Sequence, residues 1–319
     1  MVDLFRKTTI SSQKKILIYQ NEDYHSETSG FIIQNYPAYD IDVYYQHKKS
    51  VNDCFDYYST IFNKKINRIT YVNEKQYDNI FVLTDREVTQ IKHDTKSNGK
   101  FILFKHINND NKYKNYMNIC FTKLVDANIC MLPIYHHENH NKRQNVISII
   151  GNMSSPVVRE LDGIIEMGKN NFIKSNYVIN IYTRKIDKNF QNNIASMNHI
   201  KVYINCPTDS LINNIRKSKF ILTADTDYYT KVGSNQGVMT GMIPMAMNNE
   251  IPLIMSHSLN SIYGILGVVE YKKFSDIIDI LKNMNDNSYT QLLKKFIDGK
   301  NKIISDNKKI FETKLRKIK

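Results

Sequence analysis

The chain has 319 residues, 41% of them hydrophobic, and it carries a formal net charge of +13. This length and composition suit about two domains with apolar cores, which excludes wholesale disorder. The positive charge is dispersed, and the sequence has neither an Arg-rich arm nor an RNP-like aromatic motif, so we expect no nucleic-acid partner.

The expected location follows from several signals that the sequence lacks. No apolar run reaches the ~18 residues of a membrane-spanning helix, and residues 1–7 lack the apolar core of a signal peptide. The four cysteines are widely spaced and form no CxxC pair, which argues against a zinc site and against a disulfide framework. We therefore expect a cytoplasmic protein with reduced thiols.

Short apolar, β-branched runs recur through the first half of the chain, and each is bounded by polar or turn-forming residues. They predict strands at residues 15–20, 41–45, 69–72, 79–83, 101–105, 118–122 and 129–133. A helix-like stretch at 51–62 lies between two of them. Continuous apolar runs, rather than alternating ones, are typical of strands buried on both faces of a parallel sheet.

The second half alternates more clearly between strands and helices. Strands are predicted at residues 146–151, 177–182, 199–205, 220–224, 252–256 and 267–271. Helices are predicted at 159–169, 208–217 with Thr208 as its cap, 238–248 and 274–284. This β-α-β order predicts a second parallel, doubly wound sheet.

The predicted fold is therefore α/β, with two doubly wound Rossmann-like domains that face each other across a cleft. Residues 1–140 form the first domain and 146–290 the second, joined by the polar stretch 136–145, while the lysine-rich segment 291–319 is helical. Ligands of such folds bind at the carboxyl ends of the strands, so we expect the site in the cleft.

A glycine-containing loop precedes the predicted helix 238–248. The start of a helix leaves backbone N–H groups unpaired and carries partial positive charge, so it favours an anion. The candidate anion-binding residues here are Asp225 at the end of the preceding strand and Gly233, Ser234, Asn235, Gln236 and Gly237 in the loop. The alternative is a capped core helix with no ligand.

Residues 217–256 resemble the donor-binding region of GT-B glycosyltransferases. In both, a strand leads through a loop of small residues into a helix, followed by an alanine, here Ala246, polar residues, here 248–250, and a strand that begins Pro-Leu-Ile at 252–254. The resemblance extends more loosely over 146–319. It implies a nucleotide-sugar co-substrate, no other cofactor, no metal, and a final helix that crosses back to the first domain.

The chain departs from this family at one point. Retaining members of the commonest GT-B group carry two glutamates that flank this helix, but Met245 stands at the second position and neither Gly237 nor Val238 at the first is acidic. Glu250 is the nearest carboxylate and lies beyond the helix. The departure implies an inverting enzyme, a divergent family or lost activity.

Two cations follow the predicted strand 177–182. Arg184 and Lys185 at its carboxyl end could neutralise the diphosphate leaving group of a nucleotide sugar, and Gly151 and Asn152 would face the same cleft. Arg159 could also reach it. The alternative for Arg184 and Lys185 is an ordinary solvated basic turn.

An inverting enzyme of this family also needs a general base in its first domain. His25, oriented by Asp23 or Glu27 in the loop after the first strand, is the candidate, and Asp85 is the weaker alternative. A solvated loop histidine is the other interpretation of His25.

Two further motifs suggest a metal, and we interpret neither as a metal site. Residues 136–140, His-His-Glu-Asn-His, are interpreted as a solvated linker because adjacent histidines diverge. Residues 225–227 spell Asp-Thr-Asp, but a three-residue pattern occurs easily by chance, and its place before the glycine loop fits GT-B topology.

The function predicted from the sequence is transfer of a sugar from a nucleotide-sugar donor to a glycan or another acceptor hydroxyl. A nucleotide-sugar epimerase and a non-catalytic glycan-binding or partner-binding protein on the same fold are the alternatives. The basic C-terminal helix leaves peripheral contact with an anionic membrane open. Its apolar residues favour packing on the protein itself; they are Ile303, Ile304, Ile310, Phe311 and Leu315.

Overall fold

The structure is a computed structural model that describes residues 14–20, 28–45, 49–83, 101–105, 116–121, 127, 129–226 and 241–315. Its strands form two sheets, one of seven strands and one of six, and adjacent strands are parallel in both. The predicted α/β class with two doubly wound sheets is confirmed.

The first sheet has the strand order β3-β2-β1-β4-β5-β6-β7. All residues of β4 and β5 are buried, which explains why both are apolar apart from one terminal residue each, Asn79 and Lys105. The strands are β1 (Lys15–Tyr19), β2 (Asp40–Tyr44), β3 (Ile66–Ile69), β4 (Asn79–Val82), β5 (Phe101–Lys105), β6 (Met117–Cys120) and β7 (Ile129–Cys130). The helices described in this half are α1 (Ser29–Asn35), α2 (Lys49–Ile61) and the 3-10 turn Glu74–Gln76.

The second sheet has the strand order β10-β9-β8-β11-β12-β13, which in chain order is 3-2-1-4-5-6, the doubly wound order of a Rossmann-like sheet. Its strands are β8 (Gln144–Ile150), β9 (Val178–Thr183), β10 (Ile200–Ile204), β11 (Ser218–Leu222), β12 (Leu253–Ser256) and β13 (Val269–Tyr271). Its helices are α3 (Leu161–Lys169), α4 (Asn171–Asn176), α5 (Lys188–Ile194), α6 (Thr208–Ile215), α7 (Met242–Asn248), α8 (His257–Tyr263), α9 (Asp276–Lys282) and α10 (Asp286–Ile310), which continues into one π-helical turn, Phe311–Leu315.

Some helix starts differ from the prediction. Thr208 is the first residue of α6 and does not cap it, because Pro207 occupies the cap position and no side chain bonds to the helix start. Helix α3 begins at Leu161, two residues later than predicted, because Arg159 forms an antiparallel bridge with Asp225 instead of joining the helix. Helix α1 in the first half and the short helices α4, α5 and α8 in the second half were not predicted, and those in the second half share one feature.

Each of the three unpredicted helices of the second half has a side-chain cap. Asn170 caps α4, Asp187 caps α5 and Ser256 caps α8, and in each case the side-chain oxygen accepts a hydrogen bond from a backbone N–H in the first turn. A search for such caps would have found these helices, although each has only six or seven residues.

One large hydrophobic cluster contains residues from both halves of the chain. Helix α2 packs against α6, and the cluster includes residues from both of these helices. Helix α10 and its final turn also reach the first half: the Asn307 side chain donates a hydrogen bond to the Leu132 carbonyl, and Phe311 packs edge-on against Phe31 and Tyr36. In the part of the chain that is described, no helix has the length and apolar character needed to cross a membrane.

The prediction of a solvated linker over residues 136–140 is wrong in part. His136, Glu138 and His140 are exposed, but His137 and Asn139 are half-buried and hydrogen-bonded to the second half of the chain. This burial could not be predicted from the segment itself, because a run of polar residues is usually exposed. The polar groups that pair with His137 and Asn139 lie far along the chain.

Candidate functional site

The candidate site lies at the carboxyl edge of the second sheet, where the strand order reverses. Strand β8 pairs with β9 on one side and with β11 on the other, so the connections leaving β8 and β11 diverge. Open α/β sheets bind their ligands in the crevice that this divergence creates. The predicted residues Gly151, Asn152 and Asp225 all lie at this point.

Gly151 ends β8 in a conformation that favours glycine. Its φ is +124°, and its N–H donates a hydrogen bond to the Tyr182 carbonyl at 2.9 Å. A Cβ at this position would lie 2.7 Å from an Nη atom of Arg159, closer than real Cβ atoms come. The glycine therefore allows the guanidinium to pack directly against the backbone at the end of the strand.

Arg159 and Asp225 form an ion pair beneath this edge. The Arg159 side chain is 6% exposed and that of Asp225 is 1% exposed. The Glu160 N–H donates a hydrogen bond to the Ala224 carbonyl at 2.9 Å, so the backbones beside the pair are also joined. Asp225, predicted to contact the donor, therefore has its carboxylate directed at Arg159.

Arg184 and Lys185 are both exposed, and they lie beside Asn152. The Met153 N–H donates a hydrogen bond to the Lys185 carbonyl at 2.9 Å, and the Asp187 N–H donates to the Met153 carbonyl at 2.8 Å. These bonds hold the loops after β8 and β9 side by side. The structure thus brings together three of the predicted donor-binding residues with their side chains accessible.

The remaining predicted site residues lie outside the described residues. They are the predicted bases His25 and Asp85 and the loop residues Gly233, Ser234, Asn235, Gln236 and Gly237. Helix α7, which follows that loop, is described from Met242. The roles of these seven residues stay predictions.

Glu250 and Met245, the residues that bear on the missing glutamate pair, both contact other parts of the protein. Met245 is partly buried against the large hydrophobic cluster. Glu250 has a positive φ of 55°, and its carboxylate accepts hydrogen bonds from the Lys300 ammonium at 3.0 Å and from the Asn139 N–H at 3.1 Å. The carboxylate of Glu250 is therefore engaged by the linker and by α10.

His137 belongs to the same polar network. Its Nε2 accepts a hydrogen bond from Arg216 at 3.1 Å, and its carbonyl accepts one from Lys300 at 2.9 Å. Burial, reinforced by the charges of Arg216 and Lys300, lowers the pKa of His137 to about 4, although Glu250 opposes the shift. His137 is thus neutral at pH 7. Among the described residues, no three His, Cys, Asp or Glu side chains are grouped as metal ligands.

The sequence did not reveal the pairing of Arg159 with Asp225. The sequence did indicate that both residues are charged and lie next to predicted buried elements, so each would need a partner. Their separation of 66 positions hid the contact, because only the sheet order brings the ends of β8 and β11 together.

Comparisons with known proteins identify the fold. No protein-family model matches this chain, and no curated protein sequence matches it. Among solved structures, the chain is similar to Anabaena Alr3699/HepE in complex with UDP, with 9% identity, a TM-score of 0.55, and 94% of this chain and 99% of the other covered.

Two other solved structures show the same similarity. A protein from Listeria monocytogenes, provisionally assigned as a UDP-N-acetylglucosamine 2-epimerase, has 11% identity and a TM-score of 0.51, with 94% of this chain and 97% of that chain covered. A variant of the O-GlcNAc transferase from Thermobaculum terrenum has 8% identity and a TM-score of 0.50, with 91% of this chain and 64% of that chain covered. The chain therefore has a GT-B-like fold.

Proposed function

We propose that the protein is a glycosyltransferase that transfers a sugar from a nucleotide-sugar donor to a glycan or another acceptor hydroxyl, without a metal ion and in the cytoplasm. The observation that carries the proposal is the placement of exposed Arg184 and Lys185 beside Asn152 at the carboxyl edge of the second sheet. Two proteins of similar fold support the proposal, because HepE was crystallised with UDP and the Thermobaculum protein is an O-GlcNAc transferase.

The chemistry of glycosyl transfer suits these residues. As the bond to the sugar breaks, negative charge develops on the diphosphate oxygen that leaves. Cations fixed near this oxygen stabilise the transition state. Arg184, Lys185 and the loop 233–237 would supply this stabilisation. In a direct displacement the acceptor oxygen forms its bond to the sugar carbon as the bond from that carbon to the diphosphate oxygen breaks, so no protein nucleophile is needed.

We further propose inversion at the sugar carbon. Met245 stands where the retaining group has its second glutamate, and Glu250 is engaged by Lys300 and Asn139. A direct displacement then requires a base to take the proton from the acceptor hydroxyl. His25 is the proposed base and Asp85 the weaker alternative.

A nucleotide-sugar epimerase is the second candidate. The fold shared with the Listeria protein favours it, because that protein is provisionally assigned as an epimerase of a nucleotide sugar. The two reactions share the donor site and differ in whether an acceptor is consumed. A non-catalytic protein would share the site without either reaction.

The test is a binding screen followed by two assays on the full chain. We expect UDP or a UDP-sugar to raise the melting temperature, as any ligand specific for the folded state does. A binding sugar nucleotide is then incubated alone and with a glycan mixture, and products are followed by NMR. A new glycosidic linkage supports the transferase, an isomerised sugar without acceptor supports the epimerase, and failure to bind any nucleotide sugar contradicts both.

A further inference from the structure

We propose that Arg159 and Asp225 are a positioning pair for the donor site, in which Asp225 acts through Arg159 rather than by touching the donor. This inference rests on the proposed function and deepens it. The pair would set the distance between the end of β8, at Gly151 and Asn152, and the residues that follow β11, Thr223 to Asp225.

The contacts of the pair join three segments. The Arg159 guanidinium packs on Gly151 at the end of β8, and the Arg159 backbone continues into α3. Asp225 lies three residues after the end of β11, and the two residues form an isolated antiparallel bridge. Movement of either strand end would therefore have to break the ion pair, the contact with Gly151 or the bridge.

The degree of burial argues for a specific role. Burying two charges costs several kcal/mol per ion, and apolar residues of similar volume are often at least as stabilising as a buried pair. With side chains 6% and 1% exposed, this pair bears such a cost at the point where the sheet places its ligand crevice. In this proposal that cost is offset by the single geometry that the pair fixes for the ends of β8 and β11.

A second buried pair provides a matched comparison. The Lys300 and Glu250 side chains are 0% and 10% exposed, and they join α10 to the segment between α7 and β12. Neither residue lies at the carboxyl edge of β8, β9 or β11. Loss of this pair should affect stability without altering the relative positions of the ends of β8 and β11.

Electrostatics and positioning predict opposite results for Asp225→Asn. The substitution removes one negative charge beside a site for a diphosphate, so charge alone would tighten the binding of UDP. If the pair positions the two strand ends, the substitution releases Arg159 and the ends of β8 and β11 lose their fixed spacing, so UDP binds more weakly. A change in affinity against the direction of the charge identifies the positioning role.

The experiment measures UDP binding by calorimetry, with melting temperatures, for the full chain and for its Asp225→Asn and Glu250→Gln variants. We expect Asp225→Asn to weaken UDP binding about fivefold or more, in the range of coupled neighbouring groups. Glu250→Gln should lower the melting temperature but leave UDP affinity within about twofold of the wild type. Arg159→Lys, which keeps the charge but loses the planar guanidinium, should also weaken UDP binding and serves if Asp225→Asn does not fold.

Equal or tighter UDP binding by Asp225→Asn overturns the inference, and so does an equal loss in Glu250→Gln, which would make the effect one of general stability. If Asp225→Asn does not fold, unchanged UDP binding by Arg159→Lys overturns it in the same way. Failure of the wild type itself to bind UDP or any nucleotide sugar overturns the proposed function and this inference with it. That result is recognised before any variant is made.

Discussion

The ammonium group of Lys300 lies 3.0 Å from the Glu250 carboxylate, although the two residues are 50 positions apart and the Lys300 side chain is fully buried. The same ammonium donates to the His137 carbonyl at 2.9 Å. One lysine of α10 therefore binds both the linker and the segment that leads into β12. Burial lowers the pKa of Lys300, and Glu250 opposes the shift.

Breaking this pair should destabilise the protein strongly. We expect Glu250→Gln and Lys300→Met each to lower the free energy of unfolding by about 3–5 kcal/mol, because each leaves the other charge buried without its partner. The double variant should recover part of the loss. Urea unfolding followed by circular dichroism measures all three. Single-variant losses below about 1 kcal/mol, the value of an exposed pair, would contradict this assignment.

The neutral state of His137 makes stability depend on pH. Its folded pKa of about 4 lies below the ordinary value of 6.5, so the unfolded chain binds the proton more tightly. The stability due to the neutral imidazole is fully present above about pH 6.5 and is lost as the pH falls toward about 4. The residue is only half-buried, so we expect about 1–2 kcal/mol after allowance for solvent screening.

The measurement compares the wild type with His137→Gln by urea unfolding between pH 7 and pH 4. Carboxylates titrate in both proteins, so the difference between the two curves isolates the histidine. The groups that face His137 are Arg216, Lys300, Glu250, His136, Tyr57 and Tyr135, and all are retained in the variant. Parallel curves across this range would show that His137 does not contribute.

Gly151 should tolerate no side chain. Gly151→Ala places a Cβ 2.7 Å from the Arg159 guanidinium at a φ of +124°, so we expect a loss of about 1–3 kcal/mol in unfolding free energy. Gly264 is the control without a contact, since its φ is also positive, at +63°, but no atom lies within 4 Å of the added Cβ. Gly264→Ala should cost only the local strain, about 1 kcal/mol. Equal losses in thermal or urea unfolding would exclude the contact with Arg159.

The sequence predicted where strands and helices lie along the chain better than it predicted which side chains contact each other. Continuous apolar runs such as residues 101–104 of β5 indicated buried parallel strands, and the alternation of strands and helices after residue 146 indicated the second sheet. The placement of Arg184 at the end of β9 also followed from the pattern. Each of these predictions uses a local pattern, and the geometry of a parallel sheet then determines where the residues lie.

The pairings of buried charged residues could not be predicted in the same way. Arg159 with Asp225 and Lys300 with Glu250 join residues 66 and 50 positions apart, and nothing local to either partner indicates the other. Asp225 was consequently predicted to contact a ligand when its carboxylate is directed at Arg159. Charged residues next to predicted core elements are therefore as readily structural as functional.

Arg184 offers the most direct test of the donor site. Because its side chain is exposed, Arg184→Ala should change the free energy of unfolding by less than about 0.5 kcal/mol. A hydrogen bond to a charged group contributes about 1.5–3 kcal/mol, so UDP should bind at least about tenfold more weakly. Lys294→Ala, which removes an exposed cation from α10, is the control and should bind UDP as the wild type does. Calorimetric titration with UDP measures both affinities. Equal affinities of the Arg184 and Lys294 variants would show that Arg184 does not bind UDP. Lys185 would then be the cation to test.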